Sequence, residues 1–203
     1  MFISFEGIDG CGKTTQLNRL RARLETRGIE VVATREPGGT ALAESLRETL
    51  LHGGEIEARA ELLLFGAARA QHAREIIRPA LGRGAWVLCD RFIDSSEAYQ
   101  GGGLELDRAF IRAMNAFATD DLLPDRTIFV DVAPDVGALR RVGEKADRIE
   151  ARGAAFGERV SAVYLDIAAR ESARVVTVDG TLSPDDVEAA IWAKLRFSLT
   201  PPS

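Results

Sequence analysis

Hydrophobic and polar residues follow two patterns along the chain, and these patterns predict its secondary structure. Short apolar runs of strand length, often β-branched, occupy residues 2–5, 29–33, 86–89, 127–130 and 175–178. Between these runs, apolar residues recur at the three- and four-residue spacing of an amphipathic helix. Two such helices are marked by Leu17, Leu20 and Leu24 and by Leu62, Leu63, Phe65, Ala68 and His72.

The alternation of strands with helices predicts the fold class. Parallel strands need a helical crossover between them, so this order is typical of an α/β fold. We expect three layers, in which a five-stranded, mostly parallel sheet carries helices on both faces. The length of 203 residues suits one domain spanning residues 1–203. Residues 200–203 are expected to form a loose tail.

Composition and charge narrow the possible functions. Hydrophobic residues make up 46% of the chain and charged residues 28%, which is an ordinary globular balance. The net charge of −5 argues against a general nucleic-acid-binding protein. Cys11 and Cys89 form no CxxC pair, so neither a disulfide framework nor a zinc site is indicated. The apolar stretches are too short for a membrane span or a signal peptide, so we expect a cytoplasmic protein without a membrane partner.

Polar residues follow every predicted strand. The five runs lead into Glu6-Gly7, residues 34–39, Asp90-Arg91, Asp131 and Asp179-Gly180. Ligands of an open parallel sheet bind outside the carboxyl ends of its strands, so these groups should meet at one edge. A single acidic residue after a strand more often caps a helix or forms a turn. Five such endings, two of which contain arginine, favour a site for a charged ligand.

Residues 7–14, with the sequence GIDGCGKT, match the phosphate-loop pattern G-x-x-x-x-G-K-[ST]. Glycines let the backbone curl so that its N–H groups point at phosphate oxygens, and the following helix adds its positive dipole end. Lys13 can reach the β- and γ-phosphates, and the Thr14 hydroxyl can bind Mg²⁺. A phosphate-loop NTPase fold is therefore predicted. Its ATP-binding residues would be Gly7, Ile8, Asp9, Gly10, Cys11, Gly12, Lys13, Thr14 and Thr15.

Two aspartates are candidates for a magnesium site. Asp90 follows a strand and suits the carboxylate that supports Mg²⁺ in phosphate-loop proteins, although it could also cap a helix. Asp9 stands inside the phosphate loop, where a carboxylate should repel a phosphate. Three roles are therefore open for Asp9: it holds a Mg²⁺-bound water, it orients a cationic partner, or it is an exposed turn residue. Arg91, beside Asp90, can form a bidentate contact with a phosphate.

A phosphate loop alone is compatible with GTPases, ATP-driven switches and kinases. The chain lacks an Asn-Lys-x-Asp sequence for reading guanine, which disfavours a GTPase. In a kinase, a hydroxyl acceptor needs a carboxylate base, whereas a monophosphate acceptor is already ionised and needs cations around it. Such cations are available at Arg35, Arg69 and Arg91 and in the cluster Arg140, Arg141, Lys145 and Arg148.

Five segments together resemble bacterial thymidylate kinases. They are residues 5–15, 34–40 (TREPGGT), 90–92 (DRF), 98–103 (AYQGGG) and 147–150 (DRIE), and their order and spacing agree over about residues 2–195. The resemblance implies transfer of the ATP γ-phosphoryl group to dTMP, giving dTDP for dTTP synthesis, with Mg²⁺ as cofactor. It also implies a homodimer that packs through helices.

The resemblance implies roles for individual residues around the acceptor phosphate. Arg35 and Arg91 would hold the dTMP phosphate, and Asp9 would lie near that phosphate and the magnesium. The metal ligands would be Thr14, Asp90 and Asp9. The dTMP-binding set would be Asp9, Arg35, Glu36, Phe65, Arg69, Arg91, Ser96, Tyr99 and Gln100.

Four of these residues would recognise the nucleoside. Phe65 would stack on thymine, and Arg69 and Gln100 would read its polar edge. Tyr99 would lie against the deoxyribose and disfavour a 2′-hydroxyl. From the residues alone, an aromatic such as Phe65 in an apolar helix is more often core. Tyr99 and Gln100 would then end a helix before a glycine turn, with residues 101–103 as a flexible connection.

Residues 141–152 resemble the family's lid, which closes over ATP and excludes water. Gly10 stands where some members have arginine, and this implies that the lid supplies catalytic cations. The segment is shorter and has fewer arginines than the family pattern, so a solvated charged loop is the alternative. The catalytic set would be Lys13, Arg91, Arg148, Arg141 and Asp9. The contact to the transferring phosphoryl group is left open among Arg140, Arg141, Lys145 and Arg148.

Two other functions are compatible with the sequence. A deoxynucleoside kinase shares the phosphate loop, an Asp-Arg pair after a strand and an arginine-bearing lid, and would use Glu36 or Asp9 as the base for a sugar hydroxyl. A nucleotide-dependent switch would hydrolyse ATP slowly, without stimulation by any monophosphate.

Overall fold

Five parallel strands form the central sheet of the computed structural model, which describes residues 1–143 and 146–195. The strands are β1 (Phe2–Glu6), β2 (Val31–Arg35), β3 (Trp86–Asp90), β4 (Arg126–Asp131) and β5 (Val175–Asp179). Their order in the sheet is β2-β3-β1-β4-β5, and all four neighbouring pairs are parallel. The predicted α/β class is confirmed, and the sheet is wholly rather than mostly parallel.

Helices connect the strands. In chain order they are α1 (Lys13–Glu25), α2 (Ala41–His52), α3 (Ala58–His72), α4 (Arg78–Gly82), α5 (Ile93–Ser96), α6 (Arg108–Thr119), α7 (Pro134–Arg140), α8 (Ala154–Arg170) and α9 (Pro184–Leu195). Irregular helical turns lie at Ala73–Ile77 and Glu97–Gly103, which are π-helical, and at Glu150–Arg152, which is 3₁₀.

Hydrophobic side chains are buried on both faces of the sheet, because successive strand residues point in opposite directions. Ile3 is fully buried in a cluster that includes the apolar faces of α1 and α9. Its neighbour Phe2 belongs to a second cluster with Ile77 and Ala80. Burial on both faces explains why these strands read as continuous apolar runs in the sequence.

Two predictions about the elements were wrong in detail. Strand β2 begins at Val31 rather than at residue 29. The reason is that the Ile29 N–H closes the end of α1 by donating to the Leu24 carbonyl (3.3 Å), with Gly28 in the left-handed conformation (φ 74°). Leu63 was predicted on the apolar face of α3 but is 56% exposed, because its neighbour at position 62 takes the buried position.

The glycines at 101–103 form a packed element rather than a flexible connection. All three are buried within the π-helical turn Glu97–Gly103. A Cβ at Gly102 would lie 2.6 Å from a methyl carbon of Val163, and a Cβ at Gly103 would lie 2.2 Å from a ring carbon of Phe156. Helix α8 therefore approaches this turn so closely that no side chain fits between them.

Within the described residues, no helix is long and apolar enough to cross a membrane. Cys11 and Cys89 are buried and do not form a disulfide. Lys145, one of the predicted lid cations, and the predicted tail at residues 200–203 lie outside the described residues.

Candidate active site

The carboxyl ends of the strands bring the predicted polar residues to one edge of the sheet. In the strand register, Arg35 of β2 is beside Asp90 of β3, and Glu6 ends the neighbouring strand β1. Asp131 of β4 is beside Asp179 of β5. Burial, together with the charge of Asp179, raises the pKa of Asp131. The predicted gathering of charged groups at this edge is therefore confirmed.

The phosphate loop connects β1 to α1 through a backbone that requires glycine. Gly7, Gly10 and Gly12 have φ angles of 137°, 80° and 98°, in the region that side chains disfavour. A Cβ at Gly10 would lie 2.3 Å from the carbonyl oxygen of Gly137 in α7. The loop is thus curled as predicted and packs directly against α7.

Lys13 begins α1 and its side chain turns back into the loop. The ammonium group is buried, donates to the carbonyl oxygen of Ile8 (3.1 Å), and lies 3.8 Å from Asp9 Oδ1. The positive charge of Lys13 is therefore held inside the curl of backbone, where it can neutralise the charge of a bound phosphate.

Thr14 and Asp90 meet beside the phosphate loop. The Thr14 hydroxyl donates a hydrogen bond to Asp90 Oδ2 (2.5 Å). Mg²⁺ prefers oxygen ligands and is commonly held by one or two side chains together with substrate phosphates and water. A hydroxyl and a carboxylate in contact fit that requirement. Among the described residues, no group of three or more His, Cys, Asp or Glu side chains could hold a metal without such a substrate.

Asp9 is bound by cations and a hydroxyl. Its Oδ1 accepts a hydrogen bond from Arg91 Nη2 (2.5 Å), and its Oδ2 accepts one from the Tyr99 hydroxyl (2.8 Å). Burial alone would raise the pKa of Asp9, but the charges of Arg91 and Lys13 outweigh it and hold that pKa well below its usual range. Of the three predicted roles for Asp9, the orientation of a cationic partner agrees with this geometry; Asp9 also lies in a turn, where its side chain is 33% exposed.

Arg91 follows β3 in a conformation that is uncommon for a residue with a side chain, with φ at 71°. Its Nη1 donates to the carbonyl oxygen of Gly7 (3.0 Å), which connects it to the phosphate loop. Its Nη2 donates to the Tyr99 hydroxyl (3.0 Å), and its guanidinium carbon lies 4.9 Å from the centroid of the Tyr99 ring. The guanidinium is therefore fixed on several sides.

Glu6, at the end of β1, is a fully buried carboxylate. It accepts hydrogen bonds from the Phe92 N–H (2.7 Å), the Ser95 hydroxyl (2.6 Å) and the Tyr164 hydroxyl (2.9 Å). Burial, assisted by the charge of Asp94, raises the pKa of Glu6 to about 7. A carboxylate with three donors in a desolvated position holds its surroundings in a defined geometry.

Three cavities meet at Asp9, which lines all of them. The aromatic cavity, of about 150 Å³, is lined by residues that include Glu36, Phe65, Arg69, Ser96, Tyr99 and Gln100. The lid cavity, of about 470 Å³, is lined by residues that include Ile8, Arg141, Glu150 and Phe156. The strand-end cavity, of about 440 Å³, is lined by residues that include Lys13, Thr14, Arg35 and Asp90. Arg91 lines both the aromatic and the strand-end cavity.

Arg69 lines the aromatic cavity but is only 2% exposed. Four hydrogen bonds hold its buried guanidinium. Its Nε donates to Glu36 (2.8 Å), and its Nη1 donates to Ser96 (2.9 Å) and Asn115 (2.6 Å). Its Nη2 donates to the carbonyl oxygen of Phe92 (3.0 Å). These bonds give the guanidinium a defined orientation.

Phe65 and Gln100 also line the aromatic cavity. Phe65 is partly buried and packs against the main hydrophobic cluster. The sequence left open whether Phe65 is a core residue or lines a binding site, and in the structure it does both. The Gln100 side-chain amide is buried and donates from Nε2 to Glu61 Oε1 (2.9 Å). The predicted nucleoside-recognising residues thus line one cavity.

Two of the predicted lid arginines lie at the end of α7. Arg141 pairs with Glu150 (2.5 Å) and lines the lid cavity together with Asp9. Arg140 donates to the carbonyl oxygen of Gly180 (2.9 Å), at the end of β5. Arg140 also donates to the carbonyl oxygen of Gly10 in the phosphate loop (3.4 Å), so both arginines lie beside the place where a phosphate would bind.

Arg148, for which a catalytic role is predicted, is held by hydrogen bonds in this structure. Its guanidinium donates to Glu61 Oε2 (2.7 Å) and to the carbonyl oxygen of Leu50 (2.9 Å). Arg152 donates to the same carboxylate oxygen (2.5 Å). The Glu61 side chain is fully buried, so its charge requires these partners. The described end of the lid is therefore an anchored, ion-paired segment, which also corrects the solvated-loop alternative.

Arg47 and Glu61 are among the residues of the site that were not predicted. Arg47 of α2 donates to the carbonyl oxygen of Pro37 (2.9 Å) and lines both the aromatic and the strand-end cavity. The sequence contained a signal for Arg47, because this residue shares a helix face with the buried residues Ala43 and Leu50. A cation in an apolar stripe is unusual. Glu61 gave no such signal, because its partners come from distant parts of the chain.

Comparison with known proteins agrees with this geometry. The family model described as "Thymidylate kinase" matches residues 5–191. The chain belongs to the thymidylate kinase family. A thymidylate kinase from Bifidobacterium longum (strain DJO10A) is 49% identical over 201 residues, covering 97% of this chain and 97% of that protein. One from Thermomicrobium roseum is 49% identical over 194 residues, covering 95% and 92%.

A solved structure supports the same conclusion. The crystal structure of thymidylate kinase from Ehrlichia chaffeensis matches with a TM-score of 0.81 at 37% identity, covering 97% of this chain and 98% of that one. The predicted resemblance and the phosphate-loop fold are therefore confirmed. As a member of the thymidylate kinase family, the protein is a kinase, a transferase of nucleotide biosynthesis.

Proposed function

We propose that this protein transfers the γ-phosphoryl group of ATP to dTMP, in a Mg²⁺-dependent reaction that forms dTDP and ADP for cytoplasmic dTTP synthesis. The observation that carries this proposal is the position of the Asp9–Arg91 ion pair. Arg91 is hydrogen-bonded to the phosphate loop and lines the aromatic cavity, so a donor and an acceptor phosphate would meet beside one fixed cation. Phosphoryl transfer depends mainly on such positioning and charge neutralisation.

On the donor side, the phosphate loop and Lys13 would bind the β- and γ-phosphates of ATP. Thr14 and Asp90 would hold Mg²⁺, which when bound neutralises charge on the phosphates. Asp9 accepts hydrogen bonds from Arg91 and a tyrosine, and its remaining lone pairs would add a further oxygen ligand on the metal side. Arg141, on the lid cavity, would supply the lid cation.

On the acceptor side, Arg91 would bind the dTMP phosphate, with Arg35 and Arg47 adding positive charge in the strand-end cavity. Phe65 would stack on the base, and Tyr99 would lie against the sugar. The polar edge of the base would face the fixed Arg69–Glu36–Ser96 network and Gln100, which line the same cavity.

The acceptor is identified by measuring ADP release with ATP and Mg²⁺ in separate reactions with dTMP, dUMP, dCMP, dGMP, AMP and thymidine. Selective stimulation by dTMP is the expected result. A preference for thymidine over dTMP would favour a deoxynucleoside kinase. The absence of stimulation by any monophosphate, with folded protein, would favour a nucleotide-dependent switch.

We also propose that two copies of the chain pair through α3 and α6. These helices pack against each other and expose Leu63 (56% exposed), Phe110 (55%) and Phe117 (90%). Phe110 and Phe117 are seven residues apart and therefore share one helix face. Pairing this face with its copy would remove these side chains from water, in agreement with the homodimer that the family resemblance implies.

A further inference from the structure

Glu6 contacts two hydroxyl groups that in turn contact Arg91. The Ser95 hydroxyl donates to Glu6 Oε2 (2.6 Å) and accepts from Arg91 Nη1 (3.1 Å). The Tyr164 hydroxyl likewise donates to Glu6 Oε2 (2.9 Å) and accepts from Arg91 Nη1 (3.2 Å). Two short relays therefore connect a buried carboxylate to the guanidinium.

The carboxylate determines the direction of both relays. A hydroxyl group has one proton, and a carboxylate can only accept hydrogen bonds. Because Glu6 takes the protons of Ser95 and Tyr164, the lone pairs of both hydroxyl oxygens are available to Arg91. A neutral amide cannot serve both sides: with its NH₂ group towards the hydroxyls it would turn their protons towards the guanidinium, and with its carbonyl oxygen towards them it would face the Phe92 N–H with a second donor.

Glu6 also holds the backbone next to Arg91. The N–H group of Phe92, the residue that follows Arg91, donates to Glu6 Oε1 (2.7 Å). This bond fixes the peptide on the carboxyl side of a residue whose φ of 71° is uncommon outside glycine. One carboxylate thus restrains both the main chain and the side chain of Arg91.

We propose that Glu6 is a positioning residue that aims the Arg91 guanidinium at the acceptor phosphate, through the Ser95 and Tyr164 hydroxyls and the Phe92 N–H. This inference rests on the proposed function, in which Arg91 binds that phosphate. Glu6 acts through Arg91, so its loss should weaken the binding of the acceptor more than the binding of the donor.

The test compares Glu6→Gln, Tyr164→Phe and the double variant with the wild-type enzyme, at about pH 8.5, where Glu6 is ionised. Each single variant should raise the KM for dTMP by about tenfold, because a hydrogen bond to a charged group is lost or reversed, with the KM for ATP within about twofold of wild type. The double variant should resemble the more impaired single variant, because both changes break the same relay. Glu97→Gln serves as the control, since Glu97 is also a buried carboxylate but pairs with Arg108, Arg112 and Arg170.

The outcomes separate this inference from the proposed function. If the wild-type enzyme does not use dTMP, the proposed function fails. If it does, an unchanged dTMP KM in folded Glu6→Gln, or an equal rise in the ATP KM, overturns the role of Glu6. If Glu6→Gln does not fold, the Ser95→Ala/Tyr164→Phe double variant decides instead, because it removes both relays and keeps the carboxylate. An unchanged dTMP KM in that variant also overturns the inference.

Discussion

Lys13 brings a buried positive charge into the phosphate loop, 3.8 Å from Asp9 Oδ1. In the proposed reaction this charge stabilises the transferring phosphoryl group, so Lys13→Ala should lower kcat by about 100-fold or more. Circular dichroism should show an intact fold, and steady-state kinetics measures the loss. Lys194→Ala is the matched control, because that lysine is exposed and donates only to the carbonyl oxygen of Thr177 among the hydrogen bonds of the described residues. Retention of more than about a tenth of the activity in Lys13→Ala would contradict the role of Lys13.

Because the pKa of Glu6 is raised, the free energy of unfolding should depend on pH. Burial raises this pKa from 4.5 to about 7, so between these values the folded protein binds a proton that the unfolded chain has lost. The free energy of unfolding of the wild-type protein should therefore fall as pH rises through this window, whereas Glu6→Gln lacks this contribution. The unfolding free energy of the variant minus that of the wild type should increase by about 3 kcal/mol across the window. Urea unfolding at a series of pH values measures it, and a constant difference would contradict the assignment.

Residue by residue, the sequence predicted the positions that belong to compact motifs. Lys13, Thr14, Asp90 and Arg91 lie in or directly after segments that follow strands, so their meeting at one edge of a parallel sheet could be inferred from the order of residues alone. The position of Arg148 could not be inferred from the sequence, because it depends on a buried carboxylate 87 residues earlier in the chain. Charge alone does not show which arginine neutralises a buried acid.

At the scale of elements, the close contact of α8 with the turn Glu97–Gly103 can be tested. Gly103→Ala places a Cβ 2.2 Å from a ring carbon of Phe156, which is itself buried in the core. This overpacking should lower the free energy of unfolding by about 1–3 kcal/mol, as measured by urea denaturation. Gly54→Ala is the control, because no atom lies within 4 Å of its Cβ position, and its effect should be within about 0.5 kcal/mol. Equal stability of the two variants would contradict the packing.

Element types were predictable, and their exact roles were less so. The three strands in the middle of the sheet, β3, β1 and β4, read clearly because burial on both faces leaves uninterrupted apolar runs. The start of β2 was misjudged because Ile29 is apolar but caps α1 instead of pairing in the sheet. The packed turn at residues 101–103 was open to misreading because glycines are equally typical of flexible connections and of close helix approach.

At the scale of the whole molecule, the exposed face of α3 and α6 predicts the oligomeric state. Light scattering should show twice the chain mass of 22.0 kDa for the wild-type protein. Phe117→Asp should shift the protein to the mass of one chain, because it places a charge in the apolar interface. Leu182→Asp is the control, since Leu182 is also exposed but precedes α9. A wild-type mass of one chain, or a dimer unaffected by Phe117→Asp, would contradict pairing through this face.

The central claim concerns which bond the enzyme forms, and the transfer of label tests it most directly. The protein is incubated with Mg²⁺, dTMP and ATP labelled at the γ-phosphate, and the nucleotides are separated by chromatography. The claim predicts that the label appears in dTDP, with unlabelled ADP formed in equal amount, because the γ-phosphoryl group moves from ATP to the acceptor phosphate. Label found only in inorganic phosphate would mean that the bound ATP is hydrolysed rather than transferred, and would contradict the claim.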